Sequence, residues 1–254
     1  MLNIFRKKIS EISFENIGID IHSHLLPGLD DGSKTIIQSV DFIKRLQKFG
    51  FEKFVCTPHI FMEVYPNNKE TISAALASLN SLPEIKSMPV TVEAAAEYMM
   101  DENFDDLLLN DQVLCLPDNH VLIEMSYQVE SRNISQYVFN LLAKGYKPIL
   151  AHPERYTYYH DNMQPLIALK DAGCLFQLNL LSVTGYYGKR VKAAAVKLLS
   201  EKLIDFAGTD LHHERHLRMF EDITKWQDCY HYLRNYPFRN RELFGMSLTS
   251  VKAS

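Results

Sequence analysis

One pattern constrains this chain more than any other. A short apolar strand, a polar turn and an amphipathic helix follow one another seven times. The strand stretches are residues 17–24 (IGIDIHSH), 51–59 (FEKFVCTPH), 91–98 (TVEAAAEY), 120–126 (HVLIEMS), 147–152 (KPILAH), 174–179 (CLFQLN) and 204–210 (IDFAGTD). The helices between them cover about residues 33–49, 69–82, 104–109, 133–144, 164–172 and 191–203, with helical sequence again after the last strand. In the first helix, Ile36, Ile37, Val40, Ile43 and Leu46 recur at helical spacing, with Ser33 as the expected N-cap and Gly50 as the stop. Alternating β and α elements imply a parallel sheet with helices outside it. With 254 residues and no long linker, the expected fold is α/β, a distorted or incomplete (β/α)7 TIM-like barrel. An open doubly wound sheet is the alternative. Residues 1–16 read as an N-terminal extension, and 17–254 as a single domain.

Other features narrow the function. The chain contains no G-x-G-x-x-G or Walker A loop, so nothing supports nucleotide binding by those devices. The net charge is -4, from 27 basic and 31 acidic residues, which does not advertise a nucleic-acid partner. Four cysteines form no C-x-x-C pair, and none is followed by Arg at the spacing of a cysteine-phosphatase loop. Cys56 and Cys174 sit in strand runs and read as buried thiols of a reduced compartment. The first residues are basic but lack a continuous apolar stretch, so no secretory signal or membrane insertion is expected, and a cytoplasmic location follows.

The chemistry lies where the strands end. The first ends in His22-x-His24, the second in His59, the third near Glu97, the fourth at Glu124 and the fifth at His152; the last ends at Asp210, with His212 two residues on. In a parallel barrel these ends meet at one mouth, the face that carries active sites. Residues two apart on a strand point the same way, so His22 and His24 can serve one metal together, as can Asp210 and His212. Each residue alone has an ordinary structural reading. Together they would leave many costly polar groups in one apolar mouth, and metal binding satisfies all of them at once. Imidazole with carboxylate suits Zn, Mn or Fe. His213 and His216 are weaker candidates, and His120, His160 and His231 read as surface or structural. Arg155 in HPERY and Arg215 in HHERH are candidate phosphate contacts, since a guanidinium forks onto phosphate oxygens; Arg218 competes with Arg215.

The run DIHSHLLPGLDDG at 20–32, then TPH at 57–59, AEY at 96–98, LIEMS at 122–126, AHPERY at 151–156 and GTDLHH at 208–213 resembles the polymerase-and-histidinol-phosphatase (PHP) superfamily. Within it, the set is most similar to bacterial manganese-dependent tyrosine phosphatases of capsule and exopolysaccharide operons. The resemblance covers about residues 17–235 and implies a PHP-type barrel with three divalent metals, Mn foremost, with Fe, Zn or Mg as alternatives. By position, His22, His24, Glu97 and Asp210 would hold one metal, a bridging Glu97 with Glu124 and His152 a second, and Asp31, His59 and His212 a third. Asp31 enters through the resemblance alone. Arg155 matches an arginine proposed to hold phosphate, and Arg215 matches a second more loosely.

The expected activity is therefore phosphomonoester hydrolysis by a metal-bound hydroxide, with Arg155 and Arg215 as the catalytic arginines. The resemblance implies a phosphotyrosine protein as substrate, the tyrosine-rich tail of a capsule-operon tyrosine kinase. The rival enzyme readings are a histidinol-phosphate-type phosphatase and an amidohydrolase. The latter usually carries a bridging lysine, and Glu97 and Glu124 occupy the strand ends here instead. A non-catalytic metal-binding module is the reading from a different class.

Overall fold

In the computed structural model, which describes residues 9–245, the seven predicted strand stretches become nine strands. These are β1 (Ile19–Ser23), β2 (Lys53–Cys56), β3 (His59–Ile60), β4 (Thr91–Ala94), β5 (Glu97–Met99), β6 (His120–Glu124), β7 (Lys147–Ala151), β8 (Leu175–Asn179) and β9 (Phe206–Gly208). The helices are α1 (Ile36–Gln47), α2 (Lys69–Ser81), α3 (Pro83–Ser87), α4 (Glu102–Leu109), α5 (Ile134–Ala143), α6 (Gln164–Asp171), α7 (Lys189–Ser200), α8 (Glu214–Glu221), α9 (His231–Arg234) and α10 (Asn240–Leu243). The strand pairings run in the orders β1-β2-β4 and β3-β5-β6-β7-β8-β9, and all are parallel.

Two predicted strands are each broken in the middle, at Thr57-Pro58 and at Ala95-Ala96. Pro58 has no N–H to give a ladder, which favours a break there. The halves stay in step because the Ala95 N–H donates to the Cys56 carbonyl at 2.9 Å and the Glu97 N–H to the Pro58 carbonyl at 3.1 Å. The ring closes between the last and first positions, where the Asp210 N–H donates to the His22 carbonyl at 2.8 Å and the His24 N–H to the Leu211 carbonyl at 3.1 Å. The result is the expected barrel, distorted by its two breaks, and not the open sheet.

Asn240 pins that seam from the amino end of the strands. Its buried side-chain amide donates to the Ile19 carbonyl at 2.8 Å and the Ala207 carbonyl at 2.7 Å, and its oxygen accepts from the Ala207 N–H at 3.0 Å. All three backbone groups would otherwise go unpaired in the interior.

Three expectations change. The cap of α1 is Thr35, which accepts from the Gln38 N–H, and not Ser33. Ser33 is instead held in the preceding loop, its N–H donating to the His24 carbonyl at 2.9 Å. The buried stripe of α1 is Ser39, Phe42, Ile43 and Leu46. Ile37 lies a residue off that stripe and is 78% exposed.

The third change concerns the N-terminal segment. Of residues 1–16, set apart as an extension, 9–16 pack against the barrel. Phe14 is fully buried, its ring centroid 5.4 Å from Trp226, 5.7 Å from Phe51 and 5.9 Å from Phe220. The Phe14 N–H donates to the Phe49 carbonyl at 2.6 Å. Gly50 closes the same corner with φ +91°, where a Cβ would sit 2.9 Å from the Glu15 nitrogen. As expected, Cys56 and Cys174 are buried free thiols. Among the described residues, no helix is long and apolar enough to cross a membrane.

A buried ring with aromatic neighbours on several sides leaves a hole when removed. Phe14→Ala should cost about 3–5 kcal/mol of stability, read as a lower urea midpoint with little change in slope. An unchanged midpoint would show that the segment adds nothing to the core.

Candidate metal centre

The strand ends deliver their side chains to one point. His22 lies within β1 and His24 follows it, both fully buried. His59 opens β3, Glu97 opens β5 and Glu124 ends β6. His152 and Asp210 leave β7 and β9 in left-handed backbone, with φ +36° and +49°. For residues other than glycine that conformation is costly and gathers at functional sites. Here it is held by the His152 N–H on the Gln177 carbonyl at 2.7 Å and by the seam bond of Asp210.

Glu97 stands at the middle. Its Oε2 is 3.2 Å from His22 Nε2, 3.4 Å from His24 Nε2 and 3.1 Å from His59 Nδ1, and its Oε1 is 3.1 Å from His152 Nε2. Asp210 Oδ1 is 3.4 Å from both His22 Nε2 and His24 Nε2. Glu124 Oε1 is 2.8 Å from His59 Nδ1. Asp31 Oδ1 lies 3.6 Å from His59 Nε2 and 3.5 Å from His212 Nε2.

Four sets of ligand atoms lie within 4.8 Å of one another: His22, His24 and Asp210; His22, Glu97 and His152; His59, Glu97 and Glu124; and His24, Asp31, His59 and His212. All nine residues singled out in the sequence as ligands are thus in one cluster. Of the sets implied by the resemblance, Asp31, His59 and His212 fall in one group together with His24, and His22, His24 and Asp210 fall in another that leaves Glu97 out. The set of Glu97, Glu124 and His152 is divided between two groups that share Glu97.

The cluster has the mark of a cation site. Glu97 Oε2, His59 Nδ1 and His152 Nδ1 are buried and make no hydrogen bond, although two of them lie close to opposite charges. Their neighbours are near but not aligned for proton sharing. Burial disfavours the Glu97 charge, yet His22 and His59 hold its carboxyl well below the ordinary value. Burial likewise works against Asp210, which His22 and His212 keep well below the carboxylate range. His59, against burial, is raised to about 9 by Glu124 and Glu97, whereas burial and then the neighbouring His24 push His212 down to about 4. Imidazoles and carboxylates so packed fit divalent ions of the Zn, Mn or Fe kind.

Residues not foreseen in the sequence orient the cluster. Asp30 Oδ2 accepts from His24 Nδ1 at 2.7 Å and from the His59 N–H at 3.1 Å, and Oδ1 accepts from the Gly32 N–H at 2.8 Å. Gln177 Oε1 pairs with His22 Nδ1 at 2.7 Å. Both contacts fix the imidazole with Nε2 turned inward, the usual task of groups behind a metal ligand. Asp210 Oδ2 accepts from Arg155 Nη1 at 2.7 Å and from Asn179 Nδ2 at 2.7 Å, which leaves Oδ1 for the histidines. The Asp30-Asp31 doublet was visible in the sequence, but not which carboxylate turns inward. Asp30 is the buried one, and Asp31 is 53% exposed.

A cleft of about 230 Å³ opens over the cluster, lined by Asp31, His59, Tyr127, Arg155, Tyr187 and His212, with His213 and His216 at its edge. His213 also caps α8, its Nδ1 accepting from the His216 N–H at 3.3 Å. Burial lowers His216 to about 3 and keeps it neutral. Arg215 does not line the cleft; its guanidinium lies 5.9 Å from the Tyr186 ring. Arg218 is turned to Glu214 at 3.0 Å. His120 and His160 are structural, bonded to the Pro117 and Glu154 carbonyls at 2.8 and 2.7 Å. A larger groove of about 620 Å³, over Phe61, Met99 and Ser126, contains none of the cluster residues.

The same arrangement has relatives. Residues 18–236 match the family described as capsular polysaccharide synthesis, CpsB/CapC. The chain is 31% identical over 196 residues to the tyrosine-protein phosphatase YwqE of Bacillus subtilis, covering 77% of each protein. It is 26% identical over 201 residues to the tyrosine-protein phosphatase CpsB of Streptococcus pneumoniae, covering 77% of this chain and 83% of that one. A solved structure from the work on YwqE and CpsB, described as unique metal-dependent tyrosine phosphatases, is similar with a TM-score of 0.77 and 27% identity, covering 90% of this chain and 95% of the other. The match over most of its length and the shared barrel show that this chain belongs to the CpsB/CapC family of capsular polysaccharide synthesis.

Proposed function

We propose that the protein is a metal-dependent protein-tyrosine phosphatase acting in the control of capsular or exopolysaccharide synthesis. The observation that carries this reading is the convergence of His22, His24, His59, Glu97, Glu124, His152, Asp210 and His212 in one buried cluster whose polar atoms are in part unpaired. Membership of the CpsB/CapC family supplies the reaction. On this reading three divalent ions, manganese foremost, are held as the resemblance divides them: one by His22, His24, Glu97 and Asp210, one by Glu97, Glu124 and His152, and one by Asp31, His59 and His212. The mixed donor set of five imidazoles and four carboxylates is compatible with manganese, as with zinc or iron.

Bound divalent ions lower the pKa of water and polarise phosphoryl oxygens. The chain's own residues do the rest. Asp30 and Gln177 hold the His24 and His22 rings in register. Arg155 offers its N–H edge to the phosphoryl oxygens, where a charge-assisted fork both orients and neutralises. Arg215, exposed behind Tyr186, adds positive potential at the mouth. Water then replaces the tyrosyl oxygen on phosphorus. The phenolate that leaves has a pKa of about 10, so the reaction asks little of a general acid. The physiological substrate on this reading is a phosphotyrosine protein, the tyrosine-rich tail of a capsule-operon tyrosine kinase.

Three outcomes are expected. Chelator-treated protein should lose nearly all turnover of a phosphotyrosine peptide and regain it with Mn; full activity without metal would end the proposal, and a preference for histidinol phosphate would redirect it. His152→Ala should lower kcat by about 100-fold or more, beyond the usual cost of an outer-shell partner, with the circular-dichroism spectrum of the folded barrel retained; normal turnover would remove His152 from the ligand set. Asp30→Asn should weaken metal affinity by about 10–100-fold, measured by competition with a chelator of known affinity, and an unchanged affinity would reduce Asp30 to a loop brace.

A further inference from the structure

We propose that Tyr127 and Tyr187 are positioning residues for phosphate recognition. They bracket the Arg155 guanidinium between their rings, so that its N–H edge alone faces the cleft. The inference rests on reading Arg155 as the phosphate contact. The guanidinium carbon lies 4.3 Å from the centroid of each ring. The three residues come from different barrel positions. Tyr127 is in the loop after β6, Arg155 in the turn after β7, and Tyr187 in the segment between β8 and α7.

Each ring is itself fixed. Tyr127 stacks on Tyr156 with centroids 5.9 Å apart and planes 26° apart, and its hydroxyl is 3.1 Å from His152 Nε2. The Tyr187 hydroxyl accepts from Asn179 Nδ2 at 3.1 Å, the same amide that donates to Asp210. Tyr187 also meets Tyr186 edge to face at 4.9 Å.

The physical reason follows from the shape of the group. A guanidinium carries all its donors in one plane, and its faces are poorly hydrated. Covering both faces with aromatic rings is favourable to the cation and costs no donor. Among the described residues, the guanidinium donates one hydrogen bond, from Nη1 to Asp210 Oδ2 at 2.7 Å. That single bond leaves the long side chain free to pivot about it; the rings remove the pivot. The remaining N–H groups stay directed at the cleft before any phosphate arrives, so less side-chain entropy is lost on binding.

The test contrasts ring and size. Tyr127→Phe and Tyr187→Phe keep the π face and the ring packing and lose only the hydroxyl contacts, so KM for an aryl phosphate and the inhibition constant of inorganic phosphate should rise by no more than about two-fold. Tyr127→Leu and Tyr187→Leu should raise both constants by about five-fold each, with metal content by elemental analysis unchanged. In an Arg155→Met background the leucine changes should have no further effect, because the ring has nothing left to hold. Leucine variants with parental phosphate inhibition, or phenylalanine variants as impaired as leucine, would overturn the proposal.

A second readout does not depend on turnover. Nitrogen NMR of the Arg155 guanidinium in metal-free protein should show rotation about the Nε–Cζ bond speeding up in the leucine variants but not in the phenylalanine ones. Unchanged rotation would overturn the stack. If Arg155→Met alone leaves KM unaltered while the rotation result holds, the reading of Arg155 as phosphate contact fails and the stack survives only as structure.

Discussion

The mouth of this barrel is arranged around one buried carboxylate. Glu97 is fully inaccessible, yet both its oxygens face imidazole nitrogens within 3.4 Å. A lone ionised carboxylate so placed would be prohibitive. The histidines of β1, β3 and the β7 end answer that charge, and the backbone breaks serve to bring them there. The interruption at Ala95-Ala96 lets β5 start at Glu97, paired with His59 across the β3–β5 ladder. The left-handed turns at His152 and Asp210 swing those two side chains inward. Local irregularity thus sits where the strand ends converge, and regular packing lies below it.

Much of this was legible in the sequence. Strand and helix periods differ enough that seven units could be counted, and ligand-type residues recur at the end of nearly every strand stretch. What could not be read were features set by three-dimensional neighbours. The strand expected over 51–59 runs straight through Pro58, although a residue without an N–H favours a break there, and nothing in the Ala95-Ala96 pair announces the second break, since alanine suits either conformation. Thr35 and Ser33 are both good caps, and only the bond from the Ser33 N–H to His24 decides between them. Phe14 is set apart with the N-terminal extension because two of its partners, Trp226 and Phe220, lie more than two hundred positions away. Asp30 and Asp31 are chemically identical neighbours, and burial alone separates their tasks.

The arginines teach the same lesson differently. Arg155 and Arg215 each follow a histidine-rich strand end, and their local sequences, HPER and HHER, are nearly alike. Arg155 ends a short turn, Pro153–Arg155, that carries it over the cleft, between rings from two other barrel positions. Arg215 lies in the first turn of α8, whose direction carries it past the cleft to Tyr186. Motif similarity does not encode the direction in which an element leaves the barrel.

The barrel seam has a consequence for how the chain matures. The proposed ligands on one side of it, His22 and His24, are among the first residues of the domain to be made; those on the other side, Asp210 and His212, are among the last. A nascent chain stopped short of β9 has no seam and lacks Asp210 and His212, two of the nine proposed ligands. Metal binding, when coupled to folding, adds its free energy to the folded state only. In this chain that energy becomes fully accessible only once β9 has been made and meets β1. The proposed cluster is therefore complete only when the seam is: a product that lacks β9 and the turn after it lacks two of its ligands.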